Sequence, residues 1–171
     1  MSDRVENKTM PSAYDEDWER EKPQQFWDPG RKLLKSIRIY QRFQQSNTPW
    51  AFVMRKLCVI RHRFWSVVSG AEIHLNSRIS GGLLITHPNG IVIHPDAEIG
   101  PNCLIFQQVT IGIANGGVPK LGGHVDIGAG AKVLGGIVIG NNARIGANAV
   151  VIHSVLEGQT VVGIPAKPVR R

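Results

Sequence analysis

The sequence predicts a mainly β protein, a parallel β-helix preceded by an α-helical segment, and two observations carry this prediction. Aliphatic residues recur every six positions, in three groups, between Ile73 and Val151. Glycine or another small or turn-forming residue often follows the aliphatic one, as in Ile139-Gly140. Since a helix repeats near 3.6 residues and a strand near 2, a step of six fits a short strand and a tight turn on one side of a β-helix. An ordinary β-sandwich is the alternative, which the even spacing disfavours.

The repeat is interrupted twice. Two extra residues enter between Ile85 and Ile93, so we expect His87-Pro88-Asn89-Gly90 to bulge. Four extra residues enter before Leu121, so we expect residues 113–120 to leave the coil. Such loops on a rigid scaffold are places where a cleft can form. The aliphatic positions are Ile73, Ile79, Ile85, Ile93, Ile99, Ile105, Ile111, Leu121, Ile127, Val133, Ile139, Ile145 and Val151.

Composition limits the class of protein. With 171 residues the chain is long enough for one domain and an appendage. A net charge of +7 favours anionic partners such as nucleic acid, a membrane surface or a phosphate-bearing cosubstrate. The two cysteines show neither pairing nor metal spacing, which suggests a reducing compartment. Residues 1–27 lack an apolar signal-peptide core, and no apolar run approaches the roughly 20 residues of a membrane span. We therefore expect a cytoplasmic protein without a membrane span.

Two helices are predicted before the repeat. Asp28-Pro29 reads as the cap and first residue of one helix, and Thr48-Pro49 starts a second. The second helix is strongly basic between Arg55 and Arg63. It could be a membrane-surface helix, a nucleic-acid-binding helix or an oligomerisation helix with a solvated face. We favour the last and expect no nucleic-acid partner. The predicted divisions are a poorly ordered segment at 1–27, a helical oligomerisation segment at 28–69, a β-helix at 70–156, and a terminal cap and tail at 157–171.

Six segments carry a family resemblance. They are Ala71-Glu72-Ile73-His74, Gly82-Leu83-Leu84-Ile85-Thr86-His87, Gly90-Ile91-Val92-Ile93, Gln108-Val109-Thr110-Ile111-Gly112, Gly128-Ala129-Gly130-Ala131-Lys132-Val133-Leu134-Gly135 and Val162-Gly163-Ile164-Pro165-Ala166-Lys167. Over roughly residues 70–169 the chain resembles the left-handed β-helix of hexapeptide-repeat acyltransferases, and within them the serine acetyltransferases. The resemblance implies acetyl-CoA as cosubstrate, a hydroxyl acceptor, and a homotrimer or dimer of trimers.

The resemblance also implies the residues of the site. A base must take the proton of the attacking hydroxyl near neutral pH, a role that suits histidine. By motif match His87 is that base and Glu72 orients it. A backbone amide near Gly112 could stabilise the tetrahedral oxyanion. The small residues Gly112, Ala129 and Ala147 would let the pantetheine arm approach the backbone, and Lys167 would meet the nucleotide phosphates.

Metal chemistry is not expected. A carbonic anhydrase class shares this fold, but it needs three convergent histidines, two of them five residues apart. No two histidines of this sequence have that spacing. We therefore predict no metal site.

The sequence differs from serine acetyltransferases at the positions where that family binds the acceptor. The family's Asp-Arg-His-Pro-Lys run reads Gly116-Gly117-Val118-Pro119-Lys120 here, and Thr86 replaces the Asp before the catalytic histidine. These changes remove charges that would pair with a zwitterion. The predicted acceptor is therefore a larger, neutral hydroxyl compound, bound near His74, Thr86 and Val118. Family members with this reduced loop that modify exopolysaccharide sugars are the nearest precedent, so the resemblance implies a sugar or polysaccharide hydroxyl and a role in exopolysaccharide biosynthesis.

Two other functions stay open. The first is serine O-acetylation in cysteine biosynthesis, which the overall similarity favours. Since the sequence ends in Val169-Arg170-Arg171 and not in an isoleucine tail, we do not expect a complex with cysteine synthase. The second is a non-catalytic binding or structural solenoid, which the pair of His87 and Glu72 disfavours.

Overall fold

The computed structural model describes residues 11–169, and its main part is a parallel β-solenoid with three faces, each formed by one sheet. Face A contains, in spatial order, β1 (Glu72–Ile73), β3 (Val92–Ile93), β6 (Thr110–Gly112), β9 (Lys132–Leu134) and β12 (Val150–Val151). Face B contains β2 (Arg78–Ile79), β4 (Glu98–Ile99), β7 (Lys120–Leu121) and β10 (Val138–Ile139). Face C contains β5 (Leu104–Ile105), β8 (Asp126–Ile127), β11 (Arg144–Ile145), β13 (Thr160–Val162) and β14 (Lys167–Pro168).

The strand register stacks the repeated aliphatic residues on one another. On face A, Ile73 pairs with Ile93, Ile93 with Ile111, and Ile111 with Val133. Every aliphatic position of the predicted repeat is buried, and none exposes more than 8% of its surface. Burying one such side chain stabilises the fold by about 1.5–3 kcal/mol. The periodic residues therefore form the core, as the six-residue spacing predicts.

Both interruptions of the repeat lie in the predicted stretches, although the second loop ends at Pro119, because Lys120 already belongs to β7. A regular coil advances eighteen residues, as from Val92 to Thr110. Glu72 pairs with Val92, twenty residues on, and Thr110 pairs with Lys132, twenty-two residues on. The strands on either side keep their register, so the extra residues leave the solenoid as two loops.

Two helices lie on the first coil of the solenoid. Helix α1 (Pro29–Gln44) is capped by the Asp28 side chain, and α2 (Pro49–Ser69) is capped by that of Thr48. Helix α2 ends at Gly70, whose φ of 66° places it in the left-handed region that glycine tolerates. Three side chains of α1 join the hydrophobic cluster of the solenoid, namely Leu33, Leu34 and Ile37. The helices therefore begin at the predicted caps and cover the first coil.

Residues 11–27 differ from the predicted lack of order, whereas residues 1–10 lie outside the described part of the chain. A segment that we call the strap (residues 11–22) runs along the corner between faces B and C and contains a 3-10 helix, Trp18–Glu21. The fully buried Asn102 accepts a hydrogen bond from the amide of Asp17 and donates to the carbonyls of Ser12 and Asp15. Backbone contacts of this kind leave no periodic pattern in the sequence, so the composition of residues 11–27 does not indicate that they are ordered.

The other end of the solenoid is closed by a reversal of the chain. Strand β14 runs antiparallel to β13, whereas all other paired strands are parallel. The amide of Ala166 donates to the carbonyl of Val150, at the end of face A. The segment therefore occupies backbone groups that a further coil would use. Neither helix of the described residues has the length and apolarity needed to cross a bilayer.

Candidate active site

Face A and its two edges carry nearly all the predicted site residues. The outward positions of this face are Glu72, Val92, Thr110, Lys132 and Val150. One edge, the C–A corner, is formed by residues 86–90, 106–108, 128–130 and 146–148. The opposite edge, the A–B corner, is formed by residues 74–77, 94–97, 113–119, 135–137 and 152–154.

His87 lies in the first loop, on the C–A corner, and is exposed to solvent. The loop is held at its base by two backbone hydrogen bonds. The amide of Gly90 donates to the carbonyl of Gly70 at 2.8 Å, and the amide of Gln108 donates to the carbonyl of Asn89 at 2.9 Å. A loop fixed to the coils on both sides presents its imidazole from a defined backbone, as a general base requires.

Glu72 is exposed on β1, the strand that pairs with β3. The loop of His87 leads directly into β3, so the two residues lie on neighbouring coils. Among the hydrogen bonds and ion pairs of residues 11–169, none joins Glu72 to His87. The pair therefore shares an edge of face A without a direct bond, and the orienting role of Glu72 stays a prediction.

Helix α1 begins beside the same loop, which the sequence did not reveal. Gly30 is buried, and a Cβ atom there would lie 2.5 Å from the carbonyl oxygen of Ile85. The carboxylate of Asp28 caps this helix and forms an ion pair with Arg31 at 3.1 Å. The sequence feature that could have indicated this contact is Gly30, in the first turn of a predicted helix. A glycine has no Cβ atom, so another backbone segment can approach it closely.

The residues predicted to hold the cosubstrate divide between the two edges. Ala129 and Ala147 lie on the C–A corner with His87, where the amide of Asn148 donates to the carbonyl of Ala129 at 2.8 Å. Lys167 is exposed on β14 and pairs with Val162, which continues the same corner. Gly112 instead ends β6, beside the A–B corner. The structure therefore aligns three of the four predicted cosubstrate residues along one edge.

The second loop forms a small hairpin on the A–B corner. Ala114 and Gly117 exchange two backbone hydrogen bonds, of 3.1 and 3.0 Å, across a turn in which Asn115 and Gly116 have positive φ. A cleft of about 350 Å³ is bordered by the hairpin and the next coil. Its lining contains no charged side chain and consists of Ala114, Asn115, Gly116, Gly117, Leu134, Gly135, Gly136, Ile137 and Ile152.

The hairpin touches the next coil through two glycines. A Cβ atom on Gly117 would lie 2.5 Å from the Cα atom of Gly136, whereas one on Gly136 would lie 3.4 Å from the Cα atom of Gly117. Val118 follows the hairpin and is half-buried, and Pro119 is buried. Position 117, where the family resemblance places an arginine, therefore has no room for a side chain in this loop conformation.

We expect Gly117→Ala to loosen the hairpin, because the added Cβ must displace the Gly136 backbone. Amide hydrogen exchange in peptides covering residues 112–119 should quicken by about tenfold as the two hairpin bonds weaken. Gly136→Ala is the matched control, since the Gly117 backbone needs to shift by only a few tenths of an ångström to accept the added Cβ. Equal exchange rates in both variants would show that the glycine contact does not hold the loop.

His74 lies apart from His87, in a cleft between α2 and the first coil. This cleft of about 450 Å³ is lined by Val59, His62, Arg63, Ser66, Val67, His74 and Leu75. The amide of Asn76 donates to Nδ1 of His74 at 3.2 Å. Nε2 of His62 donates to the carbonyl of Ile73 at 2.8 Å. Thr86 is exposed next to His87, so the predicted acceptor residues His74, Thr86 and Val118 do not form one pocket within a chain.

Burial lowers the pKa of His62 below its ordinary value of 6.5. As pH falls, the unfolded chain therefore takes up a proton before the folded chain does, and this part of the stability is lost below about pH 6.5. We expect the melting temperature of the wild type to fall by about 1–2 °C more than that of His62→Gln between about pH 7.5 and 5.5. Parallel melting curves against pH would contradict this role of His62.

No group of three or more His, Cys, Asp or Glu side chains within residues 11–169 is arranged to hold a metal ion. Cys58 and Cys103 are both free and buried. Burial raises the pKa of the Cys103 thiol to about 12, so it stays protonated.

Comparisons with known proteins agree with this architecture. A family model for bacterial transferase hexapeptide (six repeats) matches residues 119–153. The chain is 45% identical over 147 residues to a serine acetyltransferase of Synechococcus elongatus, covering 84% of this chain and 58% of the relative. It is 41% identical over 139 residues to a probable serine acetyltransferase of Oryza sativa subsp. japonica, covering 79% of this chain and 44% of the relative.

Solved structures give the same result. A serine acetyltransferase in complex with CoA superposes with a TM-score of 0.69 at 35% identity, covering 84% of this chain and 57% of the other. The Neisseria gonorrhoeae serine acetyltransferase in complex with serine superposes with a TM-score of 0.71 at 36% identity, covering 84% and 58%. These findings confirm the predicted fold and resemblance. The chain spans about half the length of the relatives it matches, and the exopolysaccharide subgroup stays a prediction.

Proposed function

Because the chain is a hexapeptide-repeat protein homologous to serine acetyltransferases, we propose that it transfers an acetyl group from acetyl-CoA to a hydroxyl group. The observation that carries this proposal is the solenoid match to a CoA-bound serine acetyltransferase over 84% of the chain. The position of His87, in an anchored loop on the edge of face A, supports it.

In this proposal His87 is the general base. Its imidazole accepts the proton of the acceptor hydroxyl while the hydroxyl oxygen attacks the thioester carbonyl carbon. The tetrahedral intermediate then collapses, the carbon–sulfur bond breaks, and His87 returns the proton to the departing thiolate. Glu72, one coil away, would favour the imidazolium that forms in between. A backbone amide near Gly112 would stabilise the oxyanion.

The arrangement of the edges supports an oligomeric site. His87, Ala129, Ala147 and Lys167 follow the C–A corner, whereas Gly112 lies at the opposite edge of face A. One chain therefore does not bring all the predicted groups together. In a trimer, the C–A corner of one copy can face the A–B corner of the next, and acetyl-CoA would lie between them. The homotrimer or dimer of trimers and the cytoplasmic location remain part of this proposal.

L-serine is the acceptor that the comparisons favour, so our first prediction of a sugar acceptor takes second place. The relatives are serine acetyltransferases, and two of the solved structures that match are complexes with serine. Asp28, which precedes the helix turn that packs on Ile85, is a carboxylate near the loop of His87, and an ammonium group there would share it with Arg31.

A neutral saccharide hydroxyl is the second candidate, because the cleft under the hairpin has no charged side chain in its lining. Gly117 and Val118 stand where the family resemblance places the charged acceptor contacts. A zwitterion would find no ionic partner in that cleft, whereas a neutral hydroxyl needs only hydrogen bonds.

The test is CoA release from acetyl-CoA by the full-length chain, with L-serine and with a panel of hexoses, uronic acids and oligosaccharides. Release with L-serine at an ordinary enzymatic rate, about 1–1,000 per second, would support serine O-acetylation. Release only with saccharides would support the second candidate. Absence of transfer to every acceptor, with no acetyl-CoA binding by calorimetry, would overturn the proposed function.

A further inference from the structure

Helix α2 has an uncovered apolar face. Six large apolar side chains follow one another at steps of three and four residues, which places them on one side of the helix. Each exposes between 47% and 84% of its surface. They are Trp50, Val53, Leu57, Ile60, Phe64 and Val67. We call this stripe the outer face of α2. A contiguous exposed apolar surface of this extent on a folded protein marks a site of interaction.

Basic residues border the outer face on both sides. At 100° per residue, Lys56 and Arg63 fall on one flank of the stripe and Arg61 falls on the other. Helix α2 contains no acidic residue. Within residues 11–169, none of the ion pairs involves Arg55, Lys56, Arg61 or Arg63. These positive charges therefore have no ion-pair partner within residues 11–169 and could bind an anionic partner.

The charges argue against a second copy of α2 as the occupant. If two outer faces packed together as a coiled coil, Lys56, Arg61 and Arg63 would occupy the positions that flank the seam. Like charges would then face each other in either helix direction, with no acidic side chain from α2 to separate them. Charge complementarity instead favours a negatively charged partner.

We infer that the outer face of α2 binds an anionic lipid bilayer surface. A bilayer interface accepts Trp, Phe and Leu side chains at the headgroup boundary, while flanking Lys and Arg side chains extend to the lipid phosphates. Helix α2 is too polar to cross a bilayer, but it combines one apolar stripe with basic residues on both flanks, as helices that lie in the bilayer interface do.

Helix α2 contacts the solenoid through the side opposite its outer face. It lies at the first coil, where His62 contacts Ile73 and Ser66 contacts Ala71. At 100° per residue the outer face lies on the other side of the helix, although its last member, Val67, also borders the cleft of His74. The inference does not depend on the proposed acetyl transfer, because it uses no residue of that mechanism.

The test is co-sedimentation of the full chain with phosphatidylcholine vesicles, with and without about one third phosphatidylserine. We expect the wild type to partition at least tenfold more strongly onto the anionic vesicles. The double variants Leu57→Glu/Ile60→Glu and Lys56→Glu/Arg63→Glu should each lose about tenfold or more of this binding. The matched control is Lys35→Glu/Arg42→Glu, which makes the same charge change at exposed positions of α1 and should keep most of the binding.

Two results would overturn the inference. One is a wild type that does not bind anionic vesicles above the zwitterionic background. The other is undiminished vesicle binding by Leu57→Glu/Ile60→Glu, with circular dichroism showing that it is folded. If light scattering showed that this variant had lost subunits while the wild type ignored vesicles, the outer face would be an interface between copies. Retention by an acidic polypeptide in place of vesicles would assign it to a protein partner.

Discussion

The variant His87→Ala should lower CoA release with the accepted hydroxyl substrate by about 10²–10⁴-fold. The hydroxyl of serine or of a sugar holds its proton at neutral pH, so attack on the thioester needs a base in contact with it. His87 is exposed in a loop whose backbone is fixed to the coils on both sides, and its ring fills no part of the core. The loss should therefore appear in kcat and leave the melting temperature unchanged.

His124→Ala is the control for this result. His124 is also a solenoid histidine, but it lies on the corner between faces B and C, away from face A, where its ring contacts the Asn142 side chain. Its substitution should leave CoA release within about twofold of the wild type. If His87→Ala also kept the wild-type rate while L-serine or a saccharide was acetylated, a different group would be the base.

The largest effect on stability is expected from Asn102→Ala. The carboxamide of Asn102 is fully buried and makes three hydrogen bonds to the backbone of the strap, at 2.6–2.9 Å. Net contributions of about 0.5–1.5 kcal/mol per bond, together with an alanine forced into the left-handed region that Asn102 occupies at φ 59°, suggest a loss of about 3 kcal/mol. Thermal unfolding should shift downwards by about 8 °C.

Asn148→Ala separates the two causes. Asn148 has a similar φ of 55° but is exposed and does not touch the strap. It should cost only the left-handed strain, about 1 kcal/mol. Limited proteolysis gives a second readout. In the Asn102→Ala variant the strap should detach from the solenoid, which would expose residues 11–22 to cleavage. Equal melting temperatures for the two variants would mean that the strap adds nothing to stability.

The sequence predicted those parts of the fold that depend on repetition. One inward side chain per six residues determines the core, and helix caps are local signals, so Asp28 and Thr48 could be identified directly. The two loops were visible as changes of phase. The strap was not predictable, because polar residues near Asp17 dock through their backbone onto a single buried asparagine.

The candidate site could be proposed from the sequence as a set of motifs but not as a geometry. Family resemblance identified His87, Ala129 and Ala147, which the structure places along one corner. The distance between Glu72 and His87 depends on how the loop bulges, and the hexapeptide repeat says nothing about that. The beginning of α1 beside Ile85 depends on packing between segments that are far apart in sequence.

The contact between Gly117 and Gly136 limits how the hairpin, which borders the proposed acceptor site, can evolve. An arginine at position 117 would have to displace backbone of the following coil, so a single substitution cannot restore the charge that the family resemblance places there. Such a return needs a prior change of loop length or of the backbone near Gly136. A mutational path between the two proposed acceptor classes would therefore change the length of the hairpin or the backbone near Gly136 before any exchange of side chains.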